Sequence, residues 1–91
     1  MLTEIKQSKM LKMYSTNTCP YCENARRLFS QLGLKFTEIK LDDKPELREQ
    51  LSKDNAGWRT VPMIFIENEF LGGFSDVKTL HDKNLLLPKL V

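Results

Sequence analysis

The 91 residues include only two cysteines, one histidine and one tryptophan, and these scarcities already exclude several kinds of chemistry. A closed structural zinc site takes four Cys or His ligands, which two cysteines and the lone His81 do not supply. No apolar run approaches the roughly 20 residues that cross a bilayer. Met1 to Lys9 carries Glu4, Lys6, Gln7 and Lys9 where a signal peptide would have its apolar core. A soluble, intracellular, cytoplasmic protein is the expectation. Charge of one sign is not concentrated either. The 14 basic and 12 acidic residues are interspersed and leave a net charge of +2, without the basic run or basic helical face that tracks phosphates, so no nucleic-acid role is expected. Repeats, linkers and low-complexity stretches are also missing. With 41% hydrophobic and 29% charged residues the composition is that of an ordinary globular chain. Residues 1–91 are expected to form one domain, with 1–9 as an N-terminal leader, and to be monomeric.

What the chain does have is a Cys-x-x-Cys pair, Cys19-Pro20-Tyr21-Cys22. Such a pair can be half of a zinc site, a structural crosslink or a reversible dithiol. The ligand shortage argues against the first. A ring closed over two residues restrains the unfolded chain very little, because crosslink stabilisation grows with loop length, and that argues against the second. In a reducing compartment such a pair is more often catalytic or metal-binding than structural.

The local pattern supports a redox reading. Met10 to Tyr14 reads as a short strand with Met10 and Met13 in the core. Thr18-Cys19-Pro20 reads as a helix start, since Pro suits the first helical position and leaves Cys19 as the cap. Cys22, Ala25, Leu28, Phe29 and Leu32 then recur at helical spacing, and Gly33 supplies the stop. A second strand is predicted at about 35–41. A second helix follows from near Asp43, where Asp43 and Glu46 have capping-box spacing and Leu47 and Leu51 form an apolar stripe. After a loop at 54–59, Val61 to Ile66 and Glu69 to Leu71 read as strands joined by a tight turn at Glu67-Asn68. Gly72-Gly73 interrupts the pattern. A short helix capped by Ser75 follows, and then an apolar tail, 85–91, that packs back on the core. The order is βαβ, then a helix, then ββα, which implies an α/β fold with a mixed four-stranded sheet covered by three helices.

Strand, Cys-Pro-Tyr-Cys, helix, Thr60-Val61-Pro62 opening a hairpin, and Gly72-Gly73 followed by Ser75-Asp76 resemble the glutaredoxin family in order and spacing, from Met10 onward. The resemblance implies a thioredoxin-like fold, thiol–disulfide oxidoreductase activity and glutathione as reducing co-substrate, with no metal. One departure stands out. Many members carry Lys three residues before the first active-site cysteine, where this chain has Thr16, and Arg59 is the candidate replacement for pairing with a glutathione carboxylate.

Cys19, at a helix N-terminus, faces free N–H groups and the positive end of the helix dipole, both of which favour thiolate. Lowering a thiol pKa from about 8.5 to about 5 raises the thiolate fraction at neutral pH roughly thirtyfold. A Brønsted slope of about 0.4–0.5 cancels most of that gain in attack. The net benefit is a better leaving group, which suits turnover of a mixed disulfide. Cys22, one turn further on the same face, is the expected resolving thiol, with a small core residue as the plainer alternative. Tyr21 is either an exposed aromatic or a flank for the substrate sulfur. If the bond before Pro62 is cis, Val61 presents its main chain to an extended peptide, making Thr60 and Val61 main-chain binding candidates. Gly72-Gly73 permits close backbone approach, and Phe74 contributes main chain and packs its ring inward. The helix opening at Ser75-Asp76 offers a carboxylate site, and the Asp76 side chain can accept from an α-ammonium group or simply complement the helix dipole. Trp58 is expected to pack beside the Val-Pro turn, and His81 to be a surface residue near a helix end.

The leading expectation is a dithiol enzyme acting on glutathionylated and disulfide-containing proteins, with ribonucleotide reductase among the candidate recipients of electrons. Two alternatives stay open. One is a related redoxin fed by thioredoxin reductase. The other is an iron–sulfur scaffold in which two subunits and two glutathiones hold a cluster through Cys19, against which Pro20-Tyr21 stands because cluster carriers of the family usually have Gly-Phe-Ser there.

Overall fold

The computed structural model describes residues 7–91, so positions 1–6 of the expected leader lie outside the described residues. In chain order the elements are β1 (Leu11–Ser15), α1 (Pro20–Gln31), β2 (Phe36–Lys40), α2 (Pro45–Asp54), β3 (Met63–Ile66), β4 (Glu69–Gly72) and α3 (Phe74–Asp82), followed by a 3-10 turn at Leu87–Lys89. The strands form one mixed sheet in the order β2-β1-β3-β4. β1 pairs parallel with β2 and antiparallel with β3, and β3 pairs antiparallel with β4.

Alternation along the strands divides the interior in two. Leu11 and Met13 of β1 with Ile64 and Ile66 of β3 face one side, where Ala25 and Phe29 of α1 and Val77 of α3 close over them. The expected tail belongs to this layer: Leu86 and Leu90 are fully buried, and the Leu90 carbonyl accepts the N–H groups of Ser8 and Lys9 at 2.8 and 3.1 Å. On the opposite side Met63, Leu41 and Leu51 form a smaller cluster edged by Tyr14, Trp58, Phe65 and Phe70.

Helix α1 follows its sequence signals closely. Pro20 is its first residue, Cys19 its cap, and Cys22, Ala25, Leu28 and Phe29 its buried face. Gly33, at φ +69°, sits just past the end. Its N–H donates to Ser30 at 3.1 Å while that of Leu34 donates to Phe29 at 2.9 Å, the paired closure that a left-handed glycine permits.

Elsewhere the structure departs from local expectation. Met10 precedes β1 and is 56% exposed, its N–H donating to the Glu67 carboxylate, so only Met13 joins the core. The box expected between Asp43 and Glu46 does not form. Pro45 takes the first helical position, the cap is therefore Lys44, and the acidic pair is one residue out of phase. Leu47 is 36% exposed, because α2 meets the sheet only through its later residues Leu51 and Ser52. Strand β3 begins at Met63 instead of Val61, since Pro62 has no N–H to give to a ladder. Ser75 is not the cap of α3. That position belongs to Gly73, whose N–H donates to the Asp76 carboxylate at 2.9 Å.

Candidate active site

The cap of α1 and the approach to β3 meet at one end of the sheet. Cys19 holds an extended backbone, φ −149° and ψ 97°, and its sulfur accepts the Cys22 N–H at 3.1 Å. Cys19 and Cys22 are joined as a disulfide with their Cα atoms 5.2 Å apart. The two sulfurs are unequal in access. Cys22 is fully buried against the sheet, whereas Cys19 is partly open to solvent. An incoming thiolate or disulfide therefore meets Cys19 first, and Cys22 is within reach only from inside the ring.

Two anchors hold the turn between β1 and α1. Both carboxylate oxygens of Asp42 accept the Asn17 N–H at 3.1 Å, which fixes the chain two residues before Cys19. Beneath it, the fully buried Ser15 donates its hydroxyl to Glu38, and Glu38 receives Arg26 of α1 at 2.7 to 3.0 Å. The Arg26 hydrogen bonds, aided by Ser15 and Lys40 against the cost of partial burial, lower the Glu38 carboxyl to about 2, and the same pairing raises Arg26. This network ties α1 to both β1 and β2 below the disulfide. Neither anchor shows as a motif, because each joins residues far apart in the chain.

The Val61–Pro62 bond is cis, and the Val61 carbonyl oxygen lies 3.7 Å from the Cys19 sulfur. Next to it opens a pocket of about 270 Å³. Tyr21 stands on one side of it, Thr60, Val61 and Pro62 on another, and Gly73, Phe74, Ser75 and Asp76 on a third. Eight of the residues singled out from the sequence thus converge beside the redox pair. Tyr21 is 63% exposed. Phe74 packs its ring on the main core, as expected.

Two details differ from expectation. Arg59 does not line this pocket. It borders a neighbouring one of about 430 Å³ together with Arg48, whose Nη2 donates to the Arg59 carbonyl at 3.2 Å. Trp58 packs edge-on against Phe70, centroids 5.2 Å apart, as its predicted packing role requires, but it also forms the wall common to both pockets. Within the expected Gly72-Gly73 pair, it is Gly72 that leaves no room for a side chain. Gly72 has φ +113°, and a Cβ there would collide with the Asp76 carboxylate, whereas one at Gly73 would meet ordinary contacts at 3.6 Å. Sequence reasoning passed over Arg48 because nothing in α2 separates it from the exposed charges around it. Among the described residues no group of three or more His, Cys, Asp or Glu is placed to hold a metal ion, and no helix is long and apolar enough to cross a membrane.

Comparison with known proteins agrees with this arrangement. The family model described as glutaredoxin matches residues 11–71. Glutaredoxin 3 of Escherichia coli strain K12 is 38% identical over 80 residues, which is 88% of this chain and 95% of that protein. A glutaredoxin of Pseudomonas aeruginosa is 44% identical over 68 residues, covering 75% and 80% of the two chains. Among solved structures, a buckwheat glutaredoxin–glutathione complex superposes with a TM-score of 0.83 at 32% identity, over 94% of this chain and 80% of its own. The fold is thioredoxin-like, and the Cys19–Cys22 pair is the redox centre of a thiol–disulfide oxidoreductase. With its Cys-Pro-Tyr-Cys site intact, the chain belongs to the glutaredoxin family as a dithiol member.

Proposed function

We propose that this oxidoreductase draws its electrons from glutathione and reduces glutathionylated and disulfide-containing proteins in the cytoplasm, with ribonucleotide reductase among the candidate recipients. The observation that carries the reading is the pocket beside Cys19, which runs from the Val61 main chain to the start of α3. The buckwheat complex supports it, as a similar protein that binds glutathione.

In this reading the tripeptide lies extended along Thr60 and Val61, its cysteine paired with the Val61 main chain, antiparallel, as an added strand would be. The γ-glutamyl carboxylate takes the N–H groups opening α3 at Phe74 and Ser75. The α-ammonium group faces Asp76, one of whose oxygens is already committed to Gly73. Tyr21 flanks the sulfur, Pro62 and Gly73 shape the wall, and Arg59 lies on the glycine side, where it offers a cation that Thr16 does not.

The chemistry is two displacements at sulfur. The Cys19 thiolate attacks the glutathione sulfur of a mixed disulfide, and the protein thiolate departs with the electron pair of the broken bond. A second glutathione thiolate then attacks the glutathione sulfur now bonded to Cys19, releasing oxidised glutathione and restoring the Cys19 thiolate. On protein disulfides Cys22 takes the second role, attacking the Cys19 sulfur and closing the ring.

NADPH consumption on a small glutathione mixed disulfide tests the donor, with glutathione plus glutathione reductase in one arm and thioredoxin reductase alone in the other. Turnover confined to the first arm is expected. Turnover confined to the second would remove glutathione as donor and with it the roles given to Thr60, Val61, Ser75 and Asp76.

A further inference from the structure

Beneath the redox pair lies a charged network that the displacements at sulfur never touch. Cys19 caps α1, and Cys22 and Arg26 follow it by three and seven positions, intervals that put all three on one face of a helix. At 1.5 Å per residue Arg26 sits about 10 Å below the Cys19 cap and about 6 Å below Cys22. The sheet register sets Glu38 of β2 beside Met13, on the face that α1 covers. There the Arg26 guanidinium donates to both oxygens of Glu38 at 2.7 to 3.0 Å. Glu38 also accepts the hydroxyl of the fully buried Ser15 and lies 3.7 Å from Lys40. The Arg26 and Glu38 side chains are only 28% and 20% exposed, so water screens their fields incompletely. The Glu38 carboxyl, lowered to about 2 chiefly by Arg26, is ionised throughout the range in which a thiol titrates.

The two states of the redox pair differ in charge at this end of α1. In the disulfide neither sulfur is charged. Reduction adds two electrons and one proton, leaving Cys22 as thiol and Cys19 as the thiolate that a helix N-terminus favours; two reductant thiols supply the electrons, become a disulfide and release the second proton. A fixed charge on α1 or beneath it therefore acts mainly on the reduced state. Arg26 stabilises that state, Glu38 opposes it, and as a pair they largely cancel. We propose that Glu38 sets the redox poise of the Cys19–Cys22 pair by offsetting the field that Arg26 casts along α1. The offset keeps the reduced state from being overstabilised, and so keeps the pair a competent electron donor. Neither residue touches substrate; both act through Cys19. The other charged side chains on the elements that meet there are Glu23 and Arg27 of α1, Asp42 at the turn, Arg59 before Val61 and Asp76 across the groove.

The test uses the whole protein as wild type, Glu38→Gln, Arg26→Gln, the double variant and Arg26→Lys, which leave those other charges in place. The pH dependence of iodoacetamide alkylation, assigned to Cys19 by mass spectrometry, reads its thiol pKa. Equilibration in a glutathione redox buffer, with acid quenching and mass spectrometry, reads the fraction reduced. The buffer is a reference of potential whose equilibrium needs no binding site, so a failure of the donor assignment is read separately, from the NADPH assay. At low ionic strength, where the Debye length exceeds the distances involved, Glu38→Gln should lower the Cys19 pKa by roughly half a pH unit and favour the reduced state roughly threefold. Arg26→Gln should move both readouts by similar amounts in the opposite sense. The double variant and Arg26→Lys should stay near wild type. A merely structural role would move both single variants the same way, because each breaks the same contact, and the double variant would keep that shift. Single-variant shifts of the same sign, no shift in one or both of them, or a double variant that keeps the Arg26→Gln shift would overturn the proposal.

Discussion

The Cys19 sulfur lies 3.7 Å from the carbonyl oxygen of Val61, a residue 42 positions later in the chain. That contact turns two separate sequence motifs into one site. Cys19 is placed by the cap of α1, Val61 by the loop entering β3, and β1 pairs with β3 in between. In the proposed glutathione mode, a substrate sulfur engaged by Cys19 comes up against this stretch of main chain.

The unequal exposure of the two cysteines predicts unequal consequences of removing them. Cys22→Ser should abolish reduction of peptide and protein disulfides while leaving turnover of a small glutathione mixed disulfide within a few fold of wild type. Cys19→Ser should abolish both. Loss of both activities in Cys22→Ser, in a protein with native circular dichroism, would contradict the division of labour.

Arg59 stands outside the pocket beside Cys19 but adjoins Thr60, and the proposed binding mode places the glycine of glutathione on that side. Arg59→Ala is expected to raise KM for glutathione about three- to tenfold with little change in kcat, the range of one charge-assisted hydrogen bond at a partly exposed site. Steady-state kinetics with glutathione varied decides the matter, and an unchanged KM would leave Thr16 without a substitute at Arg59.

Gly72 is held at φ +113° with the Asp76 carboxylate where a Cβ would be. Gly72→Ala should lower stability by about 2 kcal/mol or more, combining left-handed backbone strain with loss of the Asp76 to Gly73 hydrogen bond. Asp76→Asn keeps an acceptor for Gly73 and should be milder in stability but weaker in glutathione binding. Chemical denaturation and titration calorimetry separate the two effects.

Glu38 gives a pH signature with a defined sign. Its carboxyl is lowered from 4.5 to about 2 by Arg26, Ser15 and Lys40, so the folded state binds its proton more weakly than the unfolded chain does. The resulting stability is fully present above about pH 4.5 and is lost as pH falls toward 2. With its side chain only 20% exposed, the contribution is at most about 3 kcal/mol. The stability difference between wild type and Glu38→Gln should therefore shrink steadily between these limits, and urea denaturation at several pH values measures it. A difference that does not change across that window would show that the carboxylate is not held in this way.

Helix α1 was legible because its signals are local. Pro20 suits the first position, the apolar residues recur within one turn of each other, and Gly33 can take the positive φ that closes the end. The caps of α2 and α3 were misread by one or two residues for a related reason. Acidic and hydroxyl residues crowd each start, and only the path of the incoming chain decides which of them stands at the cap. Met10 shows the same limit on a strand, since apolar character alone does not say where pairing begins.

By itself the sequence determined the redox pair, its asymmetric setting at a helix start, the order of strands and helices, and the segments that would line a pocket, because these depend on residue chemistry and on spacings of a few positions. Only the tertiary structure decided which charges serve that site. Strand order and register bring Glu38 under Arg26 and Ser15, Asp42 to Asn17, Arg48 to Arg59 and Gly72 against Asp76. Except for the last, these partners lie more than ten residues apart in the chain. Their meeting is set by packing of the sheet and its helices, which no short-range pattern encodes.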